Sequence, residues 1–150
     1  MTDQINLVCS GIQTIGAAVS GITTAWSTPP AGLETAELPA LYAFTGAMAP
    51  DEEDSSSVTE TRTFRVQVAV LPTGQGDPNT REALCRPLLE AVNAAFREHF
   101  GLGGVAGVQV VRVVSDSGIV LLPEWGGKFI GFEVRLAVMT IRERIWAHGG

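Results

Sequence analysis

Two cysteines and two histidines are all that the 150 residues offer of the thiolate and imidazole ligands of a structural zinc. Cys9, Cys85, His99 and His148 stand far apart, in none of the paired spacings that a structural zinc needs, so no metal site is expected. The same scarcity rules out a disulfide scaffold. Each cysteine lies among apolar neighbours within its own helical pattern, and both are expected as reduced core thiols of a cytosolic protein. Basic residues are short too, 10 against 16 acidic, and a net charge of −6 argues against a general nucleic-acid binder or a partner of anionic membranes. No apolar run is long enough to cross a bilayer. Asn6, Gln13 and Thr14 interrupt the N-terminal one, and with Asp3 and no cation before it, the stretch reads as neither signal peptide nor membrane span.

Catalytic signatures are missing as well. There is no GxxxxGK[ST] loop, no serine in a GxSxG elbow, and no histidine close to Cys85 in sequence. Gly101-Leu102-Gly103-Gly104-Val105-Ala106 fits the dinucleotide fingerprint as a string, but it follows a helical pattern and precedes a strand. A bound pyrophosphate needs the reverse order, so that it meets a helix N-terminus. The string is expected as a connector. Asp51, Glu52, Glu53 and Asp54 lack the alternating spacing and the glycine of a calcium loop. The expectation is no catalytic residue, no cofactor and no metal, in a protein that is not an enzyme.

What the chain does have is long alternation. Between Lys128 and Arg144, Ile130, Phe132, Val134, Leu136 and Val138 fall on one side of an extended backbone. Phe129, Gly131, Glu133, Arg135, Ala137 and Met139 fall on the other, the two-residue period of a strand. Burying such an apolar row supplies about 1.5–3 kcal/mol per large side chain, so this strand must lie in a sheet covered on that side. Residues 38–48 read as a second strand, with Leu41, Ala43 and Thr45 on one face and Tyr42 and Phe44 on the other. Residues 59–71 read as a third, with Phe64, Val66, Val68 and Val70 together. The polar stretch between them, at about 49–61, is too poor in apolar residues to offset its own ordering and is expected as a mobile acidic loop closing a large hairpin.

Ile5, Val8, Ile12, Ile15, Val19 and Ile22 mark a first helix with Thr2 or Asp3 at its cap, and Gly11 and Gly16 on the flanks of the stripe allow its backbone a close approach. Pro29, Pro30 and Gly32 place a loop after it. Asp77-Pro78 starts a second helix reaching about His99, with Leu84, Leu88, Val92, Phe96 and Phe100 as its stripe and Pro87 expected to kink or restart it. Residues 108–114, a turn at 115–118, residues 119–122 and a turn at 123–127 read as a meander into the final strand. The whole predicts one domain over 1–150: an α+β fold with a largely antiparallel or mixed sheet of four to five strands and two helices packed on it, in the order α-β-β-α-β-β(-β).

With that order of elements, the chain resembles the tail terminator, or tail completion, proteins of long-tailed bacteriophages and related tailed particles. The features that carry the resemblance are an N-terminal helix, a proline-containing loop into LPALYAF, then TRTFRVQVAV. The helix DPNTREALCRPLLEAV and a final hairpin in which Trp-Gly-Gly leads into KFIGFEVRLAV complete it, over nearly the whole chain. The resemblance implies a structural virion protein, a homo-oligomer closing into a hexameric ring on the last ring of the tail tube. There it would stop tube polymerisation and offer a surface to the head connector or head completion protein. It implies a place in the virion tail, assembled in the host cytoplasm, with DNA passing through the ring without specific binding. Ring closure needs a heterologous contact, for which the sheet edge and the loop after residues 38–48 are the candidates. Asp51, Glu52, Glu53 and Asp54 are candidates for a lumen lining that repels DNA or for a contact to the tube. Arg135, Arg142 and Arg144 are candidates for interface ion pairs on a strand face, with a solvated face as the other reading. The competing class is a cytosolic small-molecule enzyme or ligand-binding α+β domain, with a pocket between the second helix and the sheet.

Overall fold

The computed structural model describes residues 4–53 and 57–143. It opens with α1 (Gln4–Ala17), followed by β1 (Thr24–Ala25), β2 (Ala40–Glu53), β3 (Ser57–Pro72), α2 (Pro78–Glu98), β4 (Val108–Asp116), β5 (Val120–Leu122) and β6 (Phe129–Glu143). The strands form one mixed sheet in the order β1-β2-β3-β6-β4, with β5 also paired to β6. This is an α+β fold, and β6 is its axis: it runs antiparallel to β3 from Phe129 opposite Pro72 to Glu143 opposite Ser57, and antiparallel to β4 on its other side.

Both helices cover one face of the sheet. Ile130, Phe132, Val134, Leu136 and Val138 point into that core with Leu41, Ala43, Phe64, Val66 and Val68, as their alternation requires. The helices contribute Val8, Ile12 and Ile15 from α1 and Cys85, Leu88, Val92 and Phe96 from α2. Both cysteines are buried, and they form no disulfide among the described residues. Gly16 sits where α1 crosses β2, and a Cβ there would come within 2.7 Å of the Leu41 side chain, so the glycine sets how closely helix and sheet approach. On the other flank, a Cβ at Gly11 would meet Val105 at 2.8 Å, and the 101–107 connector packs into that gap.

α1 is shorter than its apolar stripe. It tightens after Ala17, with Ala18 N–H donating to Ile15 O and Val19 N–H to Gly16 O, and the buried Val19 continues the core from a turn. The cap expected at Thr2 or Asp3 lies outside the described residues. In α2 the Asp77 carboxylate accepts from the Thr80 N–H, with Pro78 in the first turn, and the helix passes through Pro87 without a break. Its stripe is rotated from the expected one: Leu84 is 48% exposed and Phe100 61%, while Cys85 is fully buried. A strict four-residue repeat drifts by about 40° per step around a helix of 3.6 residues per turn, so Leu84 at the start of the row leaves the core face, while Phe100 lies beyond the helix, which ends at Glu98.

Three strand assignments differ from expectation. β2 runs on to Glu53 and β3 begins at Ser57, with Glu52 opposite Thr59 and Glu53 opposite Val58. The segment expected as a loop over 49–61 is thus mostly ladder, and only 54–56 fall outside the described residues. Backbone hydrogen bonds to β6, which flanks β3 as far as Glu143, supply what the side chains of this polar stretch cannot. β1, absent from the expected order, adds a short parallel pair at Thr24 and Ala25. Finally, the region 108–122 is no meander, because β4 and β5 both pair with β6, one after the other along the same side. At the break the Ser117 N–H donates to Glu133 O, and the Ser117 hydroxyl accepts from the Glu133 N–H, so one serine bridges the interruption.

Candidate functional site

The face of the sheet away from the helices carries the chain's polar organisation. The register aligns Tyr42, Gln67 and Glu133 in one cross-strand row and Phe44, Arg65 and Arg135 in the next. Glu133 accepts from Arg65 at 2.9 Å, from Gln67 Nε2 at 3.0 Å and from Arg135 Nε at 3.3 Å. Gln67, only 2% exposed, also donates to Glu124 Oε1 at 3.1 Å. Arg65 lies over the Phe44 ring, 4.5 Å from its centre.

The turn Glu124–Gly127 caps this arrangement. Trp125, held at φ 55, meets the Tyr42 ring edge-on with the centroids 4.9 Å apart. Around this contact Tyr42, Leu122 and Phe129 form a second apolar cluster, backed by Trp26, Leu33 and Leu38 from the first connector. Tyr42 Oη, Gln67 Oε1 and Glu124 Oε2 are buried there without a hydrogen-bond partner among the described residues. Burial, then the charges of Glu124 and Glu133, push the Tyr42 hydroxyl well above the ordinary tyrosine range. Burial would raise the Glu133 carboxyl too, but the bonds from Gln67 and Arg135 and the Arg65 charge outweigh it and hold Glu133 below its ordinary value. Glu133 is therefore a weak base and Tyr42 a weak acid, neither matched to proton transfer near neutrality. Chemically, the cluster fastens β2, β3, β6 and the turn to one another.

Beyond the cluster the same face opens into a groove of about 340 Å³, lined by Thr61, Val110, Arg112, Ala137 and Met139. Arg112 has no ion-pair partner among the described residues. A second groove, about 500 Å³, lies between the start of α2 and the sheet, where Arg81 meets Ile119, Leu121 and Ile130. Among the described residues, β2 has no strand beside it past Ala25 opposite Leu41, and β4 has none on its outer side, where the Val111 N–H donates to Phe100 O of the preceding connector.

The sequence-derived candidates do not form one site. Asp51, Glu52 and Glu53 occupy the far end of β2, while Asp54 and Arg144 lie outside the described residues. Arg135 pairs with Glu133 on the bare face. Arg142 stands opposite Val58 near the far end of β6. The polar row had a signal in the sequence, since Arg65 and Gln67 interrupt the apolar alternation of β3 on the face opposite Phe64 and Val66. Glu124 had none.

The 101–106 string is a series of turns between α2 and β4, with Leu102, Gly103 and Gly104 at positive φ. His99 caps the C-terminus of α2, and His148 lies outside the described residues. Among the described residues no cluster could hold a metal ion, and no helix is long and apolar enough to cross a membrane. The arrangement defines a class of α+β domain with helices on one face of a mixed sheet, a mostly bare opposite face and open edges. No protein-family model matches the chain, nor does any curated protein.

Proposed function

We propose that the protein is a tail terminator of a tailed particle: a structural subunit that closes into a ring, hexameric in the first instance, on the end of the tail tube. It ends tube polymerisation and presents a joining surface to the head connector or head completion protein. DNA crosses the ring without specific binding, the subunit works without an active site or cofactor, and its place is the virion tail after assembly in the host cytoplasm.

The observation that supports this reading is a pair of sheet edges with no neighbouring strand among the described residues, β2 past its contact with β1 and, on the opposite side, β4, where only Val111 is bonded, to Phe100 O. An edge exposes unpaired backbone groups that a protein either guards or uses. Two different edges on one subunit suit a heterologous contact, which generates a ring when the rotation closes. Pro50 and the acids at the end of β2 limit the alternative, unlimited growth into a fibre.

The second reading, a small-molecule enzyme or ligand-binding domain, has one feature in its favour, the groove between α2 and the sheet. One experiment separates the two. Light scattering of the purified protein, alone and with tail tubes, should give a closed multimer of the 15.8 kDa chain or a ring that forms on tube ends. A single chain or dimer that ignores tubes and melts higher with a bound metabolite would replace the first reading with the second.

A further inference from the structure

We infer that the Glu124–Gly127 turn is a gate: in the folded protein it swings away from the sheet on its own and uncovers the Tyr42 cluster that it otherwise seals. The gate is a property of one chain and stands whether or not copies of that chain close into a ring.

The turn is held in a conformation that its own backbone disfavours. Trp125, Gly126 and Gly127 follow one another at φ 55, 73 and 69. Glycine takes the left-handed region freely, but a residue with a Cβ crowds a carbonyl oxygen there, and Trp125 lacks the short polar side chain that eases the cost. Such a residue stays in place only where its surroundings hold it. Here the hold is slight. The Trp125 ring meets Tyr42 edge-on at 4.9 Å, Glu124 Oε1 accepts from Gln67 Nε2 at 3.1 Å, and Arg65 Nη1 stands 3.9 Å from the same oxygen. Both donors have a second and closer partner. Gln67 bonds Glu133 at 3.0 Å and Arg65 bonds it at 2.9 Å, so each stays bonded when the turn leaves.

Closure also leaves hydrogen bonds unmade. Tyr42 Oη, Gln67 Oε1 and Glu124 Oε2 are the buried oxygens without a partner among the described residues in this cluster. Gln67 cannot reverse its amide to help, because Nε2 donates to two carboxylates and the reversed group would set an oxygen against both. The three oxygens carry one hydrogen between them, that of the Tyr42 hydroxyl. At least one of the two acceptors therefore goes without a donor from this set, however the side chains adjust. Water supplies those bonds once the turn is open. Opening thus relieves the backbone and hydrates three oxygens, against the loss of one hydrogen bond, one ring contact and the cover over an apolar cluster.

The flanks of the turn are fixed. Leu122 pairs with Phe129 across the β5–β6 ladder, both are buried, and Lys128 O accepts from the Thr73 N–H at 2.9 Å. At Gly126 nothing lies within 4 Å of where a Cβ would stand, so the tip of the turn is free on its outer side and can move as a loop pinned at both ends.

The test uses the full-length chain, in which Tyr42 is the only tyrosine, so nitration by tetranitromethane reports on this residue alone. Tyr42 is fully buried, and the reagent reaches it only through an opening. Nitration at pH 8 is followed in water and in low urea, beside hydrogen exchange of the Val134 and Leu136 amides, which lie at the centre of β6 between β3 and β4 and read global unfolding. Expected is a nitration rate that low urea barely changes while exchange at Val134 and Leu136 rises with it, because a local opening exposes little surface. Val92→Ala, in the core beneath α2, should speed the amides and leave nitration as it was. Gly126→Val sets a β-branched residue at φ 73 without touching a neighbour, and it should speed nitration about tenfold with the urea insensitivity kept. Tyr42→Phe removes a hydroxyl that closure leaves unpaired, so its Tm should equal or exceed that of wild type. Nitration that rises in step with the amides in urea and in Val92→Ala overturns the gate, since Tyr42 would then be uncovered only when the whole fold opens. Resistance to nitration in the folded protein overturns it as well, as does an unchanged rate in a folded Gly126→Val. A lower Tm in Tyr42→Phe would show the hydroxyl bonded beneath the closed turn, which removes the reason for the turn to open.

Discussion

Glu133→Gln isolates the charge at the centre of the bare face, because the amide keeps the carboxylate's shape and removes its charge. Glu133 accepts from three donors, two of them guanidinium groups, and its side chain is 13% exposed. Breaking a fully buried ion pair costs about 3–5 kcal/mol, and an exposed one about 0–1. Arg65 is 35% exposed and Arg135 56%, so solvent screens both partners and the expected loss is about 1–2 kcal/mol. For a domain of this length 1 kcal/mol moves Tm by about 2–4 °C, which places the variant roughly 2–8 °C below wild type at pH 7. The pH dependence follows from the direction of the shift. Glu133 is held below its ordinary value when folded, so its contribution is present above the unfolded carboxylate pKa, about 4.3, and is lost as pH falls through the lower folded value. Thermal melts of both proteins from pH 7 to pH 3 should therefore converge at the acid end, and salt should narrow the gap at pH 7. A gap of the same size at both pH values would refute the electrostatic account and assign the effect to packing. No gap at pH 7 would show that the three donors find equal partners in water.

Two further changes probe the covered face. Phe132→Ala empties a fully buried site among Val68, Val134 and the helices and should cost about 3–5 kcal/mol in urea unfolding; a loss below 1 kcal/mol would mean that the core collapses into the space. The Cys85 thiol is pushed up to about 11, by burial first and the Glu82 charge second, so it should resist iodoacetamide at pH 8 in the native state and react quickly in denaturant. Rapid native labelling, located by mass spectrometry, would contradict its burial.

The legible parts of this fold are those fixed by side-chain period. Alternation places Leu41 and Ala43 against Tyr42 and Phe44, sets Phe64, Val66 and Val68 toward the helices, and marks β6 as the strand around which the rest is arranged. Asp77-Pro78 starts α2 through a local cap, with no help from distant residues. The illegible parts depend on partners far away in sequence. Residues 49–53 and 57–61 look like a loop by composition, yet they are ladder because β6 extends beside β3, and backbone hydrogen bonding is indifferent to side-chain polarity. Ser115 to Gly118 looks like a reversing turn, but Ser117 holds the chain on course along β6. Glu124 looks like part of a turn and is in fact seated on Gln67.

The sequence by itself determined which side chains are turned inward and that two helices and a long strand belong to an α+β fold. Hydrophobic period and caps are properties of neighbours along the chain. Only the tertiary structure decided which strands lie side by side, and which strand edges have no neighbouring strand among the described residues. Strand pairing and charge placement arise between residues that sequence separates widely, and no local preference encodes them.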